Sequence, residues 1–314
     1  MGMADRTPTT VEEYRAYRDR FHNWGRWGAD DQLGTLNHVT AEVRRAAAAL
    51  VRDGRTVSCS NPWQTAAVQP DARRNPRPAQ FEMAVNPGGS SDFLGVWYHG
   101  FVTTHIDALC HMFTSEDWNP TKQVYNGRPA SMVTLDRAET NSVDHWRDGI
   151  LTRGVLYDIP RMRGQAHVQE GEPVEGWHLE EFAKQHGITP RAGDAVLVRS
   201  GAEPFWTAHP DFEHAFPPNT PGVAVSVAEF LYDTNASLIG WDLMEAGGQE
   251  RFPETIPLHR LVIPHMGMPM LDNANFERLA EVCAETGRYE FMFTVAPLVV
   301  EGGTGSPVNP LATF

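Results

Sequence analysis

The amino-acid sequence predicts an α/β fold, and three observations carry that prediction. Short apolar runs bounded by glycine and aspartate, "GVLYDI" (154–159) and "GDAVLVRSG" (193–201), read as buried strands. Between them "WHLEEFAKQHG" (177–187) reads as a helix. The alternation then continues, with "VSVAEFLYDTN" as a helix, "ASLIGWD" as a buried strand and "NANFERLAEVCAETG" as a helix capped near Asn273 or Asn275.

The remaining elements follow from local signals. "TPTTVEEYRAYRDRF" reads as a short capped helix, and "HVTAEVRRAAAALVRDG" as a second, with Thr40 as N-cap and Gly54 as its stop. "RTVSCS" reads as a strand, and "QPDARRNPRPAQ" (69–80), rich in proline and arginine, as an exposed loop. "DFLGVWYHGFVTTHID" (92–107) alternates aromatic and β-branched residues and reads as one long strand. "RYEFMFTVAPLVVEGG" closes the chain as one or two strands. No repeat, low-complexity tract or clean linker interrupts this order.

At 314 residues and 41% hydrophobic the chain can build a sizeable core, divided here into an N-terminal helical arm (1–54) and one main domain (55–314). Lys and Arg total 26 against 40 Asp and Glu, a formal charge of −14, and no basic cluster interleaves with aromatics. Nucleic acid and anionic membranes are therefore not expected as partners, whereas a small-molecule substrate is. A homodimer or homotetramer is expected. Cys59, Cys110 and Cys283 are too scattered for a disulfide framework or a thiolate zinc site. The charged N-terminus lacks the apolar run of a signal peptide, and no transmembrane run follows, so a cytoplasmic protein is expected.

The stretch "YHGFVTTHIDALCHMF" (98–113) places His99, His105, Asp107 and His111 among apolar residues. On an extended strand His99, Phe101, Thr103, His105 and Asp107 project from one face. An imidazole and a carboxylate two residues apart can meet one divalent cation, as nitrogen and oxygen ligands about 2.0–2.2 Å from it. His111, just past the strand end, can fold back over the same site. Satisfied core histidines are the ordinary reading of a lone His, but a buried carboxylate needs a positive partner, and no Arg or Lys lies between Asp92 and Trp118.

At these residues the sequence resembles the putative cyclase family, which includes kynurenine formamidase and isatin hydrolase. "TTHIDALCH" is similar to its His-x-Asp-x-x-x-His signature. "RWGADDQLGTLNHVT", "YNGRP", "RGVLYDIPR", "IPLHRLVIPHMGMPMLDNANFERLA" and "APLVVEGGTGSPVNPLATF" look like other motifs of its longer members. The resemblance implies a swivelling β/β/α domain with mixed sheets. It makes His105 and Asp107 metal ligands, His111 a base or second-metal ligand, and His259 the distal histidine that completes the site. Two positions depart from the pattern. Phe101 stands where the formamidase-type motif has histidine, with His99 as its substitute. Asp272 stands in for a glutamate. Both fall on ligands of a second metal, so one metal per chain, Zn²⁺ or Mn²⁺, is expected. Phe101 is then expected beside that metal as an apolar pocket wall.

A divalent cation on such ligands polarises a carbonyl and activates water near neutral pH, which suits hydrolysis of a C–N bond in an aryl formamide, cyclic imide or lactam, or of a related ester. His111 is the expected base, and His259 a third ligand or electrophilic helper. Two rivals stand beside this reading: a lyase or cyclase of secondary metabolism that needs no attacking water, and a metal-binding protein without catalysis. The second is disfavoured because the site offers too few protein ligands to close a structural tetrahedron. "GGTGSP" lacks the Lys-Ser/Thr pair of a phosphate loop and reads as a tight turn. Trp24 and Trp27 read as core or subunit-contact residues, or as walls of an aromatic pocket. Cys110, facing away from His111, reads as core.

Overall fold

The structure, a computed structural model, describes residues 7–65, 75–117, 119–214, 216, 219–247 and 251–314. The loop expected at 69–80 falls partly outside these residues. Helix α1 (Val11–Arg20) opens with a capping box in which Thr10 accepts from the Glu13 N–H and the Glu13 carboxylate reaches back to Thr10. Helix α2 (Ala41–Ala48) is capped by Thr40 as its sequence indicates, but it stops at Ala48 rather than at Gly54. Strands β1 (Thr56–Ser58), β2 (Gln80–Asn86), β3 (Gly89–Gly95), β4 (His105–Asp107), β5 (Gln123–Val124) and β6 (Arg128–Pro129) follow. The α/β half then runs β7 (Ile150–Asp158), α3 (Ile159–Arg163), α4 (Gly176–Gln185), β8 (Ala195–Arg199), α5 (Ala202–Ala208), α6 (Val227–Asp233) and β9 (Leu238–Trp241). Helix α7 (Pro257–Leu261), β10 (Met270–Asp272), α8 (Glu277–Thr286), β11 (Glu290–Val295), β12 (Gly305–Pro307) and β13 (Leu311–Thr313) complete it.

Among the described residues the main sheet has nine strands in the order β1-β13-β11-β7-β8-β9-β10-β4-β12. The run β7-β8-β9-β10 is parallel and the other pairings are antiparallel, giving the mixed α/β sheet expected from the sequence. Strands β8 and β9, "AVLVR" and "LIGW", are buried at every position, as parallel strands covered on both faces must be. The N-terminal segment joins the same core: Tyr14, Tyr17 and Phe21 are buried, and Asn23 donates to the Met266 carbonyl at 2.9 Å.

The long strand expected over 92–107 is broken. β3 ends at Gly95 and pairs only with β2, in an exposed hairpin, and sheet pairing resumes at His105. The reason is tertiary. Asn273, itself at φ +52°, donates its amide to the carbonyls of Gly100 (2.6 Å) and Thr103 (3.3 Å), pinning 100–103 as a bent loop. The face shared by His99, Phe101 and His105 on the extended-strand reading therefore does not exist.

Candidate metal centre

Strand β4 is three residues long and hydrogen-bonded on both sides, by β10 and β12. Alternation sends Ile106 into the core and His105 and Asp107 to the opposite face. Register adds the next member: Asp272 pairs with His105 across β10 and β4. His105 Nε2 lies 3.3 Å from Asp107 Oδ1 and 4.0 Å from Asp272 Oδ2. The first turn of α7 brings His259, whose Nε2 is 3.4 Å from the same Asp272 oxygen. His111, in the turn after β4, reaches to 3.8 Å from Asp107 Oδ2. His99 arrives from the bent loop, with Nδ1 2.9 Å from Asp107 Oδ1 and its ring stacked on His111, centroids 3.8 Å apart. The loop thus delivers His99 to Asp107 by a route that strand alternation does not describe. Gly305 makes room for it, since a Cβ there would lie 2.5 Å from the Ile106 carbonyl and 3.1 Å from the His99 ring.

Two interlocking sets result, His99, Asp107 and His111, and His105, Asp107 and Asp272, each with ligand atoms within 4.8 Å of one another. Both oxygens of Asp107, Oδ1 of Asp272 and Nδ1 of His99 are buried without a formed hydrogen bond. Two ligands about 2.0–2.2 Å from a tetrahedral ion stand roughly 3.3–3.6 Å apart, which the His105–Asp107 and His259–Asp272 separations match. The buried Asp107 oxygens, which face imidazole nitrogens without a formed hydrogen bond, are what a cation shared between them would satisfy. The residues therefore fit a divalent metal.

The neighbours hold the imidazoles in ligating form. His105 donates its Nδ1–H to the Thr103 carbonyl at 2.8 Å, and His259 presents Nδ1 to Glu245, so Nε2 is the nitrogen that each ring turns toward the carboxylates. Thr304, from the "GGTGSP" turn, pairs with His99 Nε2 at 2.9 Å. Burial pushes the Asp107 carboxyl up, but His111, His105 and His99 outweigh it and hold it well below the ordinary range. Burial pushes His111 down to about 3, against the opposing pull of the Asp107 carboxylate. The histidines also differ in access. The His99 and His111 side chains are 28% and 21% exposed, against 1% and 3% for His105 and His259.

The two histidine-bearing segments are tied together at a distance from the cluster. Glu116, just after His111, accepts from the Thr255 N–H and hydroxyl and from Arg260 Nε at 2.8 Å, while Arg260 also donates to the Phe113 carbonyl. α7 runs into a π-helical turn, Val262–Met266, ended by Gly267 at φ +69°, where a Cβ would strike the Tyr125 ring.

Phe101 turns away from the place the strand reading gave it. Its ring stacks on His214, centroids 4.5 Å apart, and lines a cavity of about 380 Å³ with Trp63, Trp206, Met244 and Asn273. Another cavity, about 340 Å³, is lined by Trp97, Tyr98, His99 and Thr103 and shares Phe101 with the first. Trp24 and Trp27 line neither. Trp24 donates its indole N–H to the Pro264 carbonyl at 2.7 Å and stacks on His265, and Trp27 sits edge-on to His38. Glu245 and Thr304, which meet the histidines directly, carry no sequence signal, because only long-range packing brings them there.

A family model described as "Putative cyclase" matches residues 57–246. The chain belongs to this family. A crystal structure of a protein described as a novel cyclase is 25% identical, with a TM-score of 0.80 over 95% of this chain and 99% of that one. Isatin hydrolase A from Labrenzia aggregata, solved with benzyl benzoate, is 18% identical with a TM-score of 0.57 over 88% and 98% of the two chains. Isatin hydrolase A from Ralstonia solanacearum is 21% identical with a TM-score of 0.53 over 82% and 91%. No curated protein matches the sequence. The fold is thus similar to that of isatin hydrolase, and the described residues contain no helix long and apolar enough to cross a membrane.

Cys110 is no nucleophile. It is buried, its thiol is pushed up to about 12 by burial, and its Sγ points to the Gly303 carbonyl. Cys110→Ser is expected to keep activity within about twofold, and the native protein to resist a disulfide thiol reagent at pH 8. Rapid labelling of one thiol in the folded protein, with matching inactivation, would show otherwise.

Proposed function

We propose that this cyclase-family protein is a metal-dependent hydrolase that cleaves a C–N bond, in an aryl formamide, cyclic imide or lactam. The observation that carries the reading is the pair of buried Asp107 oxygens, without a formed hydrogen bond, facing the nitrogens of His99, His105 and His111 beside the aromatic-lined cavity that His99 also lines. His105, Asp107, Asp272 and His259 would hold a Zn²⁺ or Mn²⁺ ion, their oxygen and nitrogen donors suiting either. When bound, such an ion supplies Lewis-acid polarisation of a carbonyl and lowers the pKa of water.

The chain's own residues do the rest. His105 and His259, buried and fixed through Nδ1, keep Nε2 for the ion. His111, partly open to solvent, can take a proton at Nε2 from the attacking water and pass it to the departing nitrogen. Its stacking on His99 fixes the ring plane in which that lone pair lies. Trp97, Tyr98 and Phe101 offer flat apolar walls, which favour an aromatic or bicyclic substrate over a small polar one.

Turnover of amide, lactam and cyclic imide panels by the metal-loaded protein in ¹⁸O-labelled water tests this. Label in the product carboxylate is the expected result. Turnover without label would identify a lyase or cyclase instead.

A further inference from the structure

We propose that Glu245 is the positioning residue of His259, a role that rests on reading the cluster as a metal site. Glu245 is fully buried, in the loop after β9, and far in sequence from the His105 strand. Its Oε2 accepts the Leu258 N–H at 3.0 Å, while its Oε1 accepts the His259 N–H at 3.2 Å and meets His259 Nδ1. A carboxylate facing an imidazole nitrogen accepts, so the proton between them sits on Nδ1. Nε2 is left to face Asp272, 3.4 Å away.

The fold explains why a carboxylate does this work. His105 finds a backbone carbonyl for its Nδ1–H, but His259 lies in the first turn of α7, where exposed N–H groups gather and carbonyls point the other way. An anion is favoured there by the same N–H groups, so one carboxylate can cap the turn and orient the ring together. Glu245 is itself held. Val223 N donates to the Met244 carbonyl at 3.2 Å and Ala246 N to the Val223 carbonyl at 2.9 Å, while a Cβ on Gly222 would lie 2.0 Å from the Met244 oxygen.

A cap alone would stabilise α7 without touching the ion, so the test must separate the two roles. The Zn²⁺ affinity of the full chain, measured by competition with a chromogenic chelator, is compared for wild type, Glu245→Gln, His259→Ala and the double variant. Glu245→Gln is expected to weaken Zn²⁺ binding by roughly 10- to 100-fold, the usual cost of losing a ligand's hydrogen-bond partner. In the His259→Ala background it is expected to add less than about twofold, because the ring it positions is gone. The Zn²⁺-loaded wild type should also show a strongly downfield His259 Nδ1 proton in its NMR spectrum, displaced in Glu245→Gln.

Equal weakening in both backgrounds, or an unmoved proton resonance with unchanged affinity, would overturn the proposal. Because Glu245→Gln is isosteric it decides the matter even if Glu245→Ala does not fold. Zn²⁺ binding that ignores both His105→Ala and Asp107→Asn would overturn the metal-site reading and the proposal with it. Binding that needs those residues but ignores Glu245 overturns the proposal alone.

Discussion

Asp107→Asn is expected to abolish high-affinity metal binding and to lower kcat/KM on the order of 10³-fold or more. Asp107 is the one residue common to both candidate ligand sets, and both its oxygens are buried without a formed hydrogen bond. Asparagine keeps the shape and the backbone ladder of β4, so the strand should survive. It removes the negative charge, however, and turns one ligand atom into an N–H donor aimed at histidine nitrogens. The expected loss corresponds to the several kcal/mol of transition-state stabilisation that a bound cation supplies. Metal content by elemental analysis, with circular dichroism as the fold control, is the measurement. An Asp107→Asn protein that is folded, metal-replete and active would remove Asp107 from the site.

What the sequence revealed of this site follows the range of the interactions involved. His105 and Asp107 were legible because a period of two puts them on one face, and the absence of Arg or Lys between Asp92 and Trp118 left a carboxylate in need of a cation. Asp272 and His259 were legible only through the resemblance, since their meeting with His105 depends on β10 pairing antiparallel with β4 and on the turn of α7. Phe101 was misplaced because aromatic and β-branched residues at 92–107 read as continuous strand. The Asn273 side chain, more than 160 residues away, bends that segment instead. Glu245 was invisible for a similar reason. Nothing within "WDLMEAGG" distinguishes its carboxylate from a surface one until the Val223 bridge and α7 close over it. Helices α4, α6 and α8 and the buried strands β7, β8 and β9 depend on local periodicity and caps, so they read correctly, whereas the short elements α3, α5, α7 and β10 were not anticipated. The end of α2 was also misjudged, because the helix stops at Ala48, with Ala49 as its C-cap, well before Gly54.

The histidines should separate by role when each is removed. His111→Ala is expected to retain its metal but lose roughly 10²-fold or more in kcat with KM little changed, as removal of a general base does. His259→Ala is expected to lose metal affinity instead. The assignment rests on access and on the state of the second ring nitrogen. His259 is 3% exposed, its Nδ1 is engaged by Glu245, and its Nε2 stands 3.4 Å from Asp272. His111 is 21% exposed, and its Nε2 stands 3.8 Å from Asp107 Oδ2, further than either His99 or His105 lies from that carboxylate. The His111 side chain is partly open to solvent, and stacking on His99 keeps the ring from turning away. A ligand removed should show itself as metal lost on dialysis. A base removed should show itself as slow turnover at full metal occupancy. If His111→Ala emerges from dialysis metal-free while His259→Ala remains loaded, the two roles are reversed, and His259 with its Glu245 partner becomes the proton acceptor of the site.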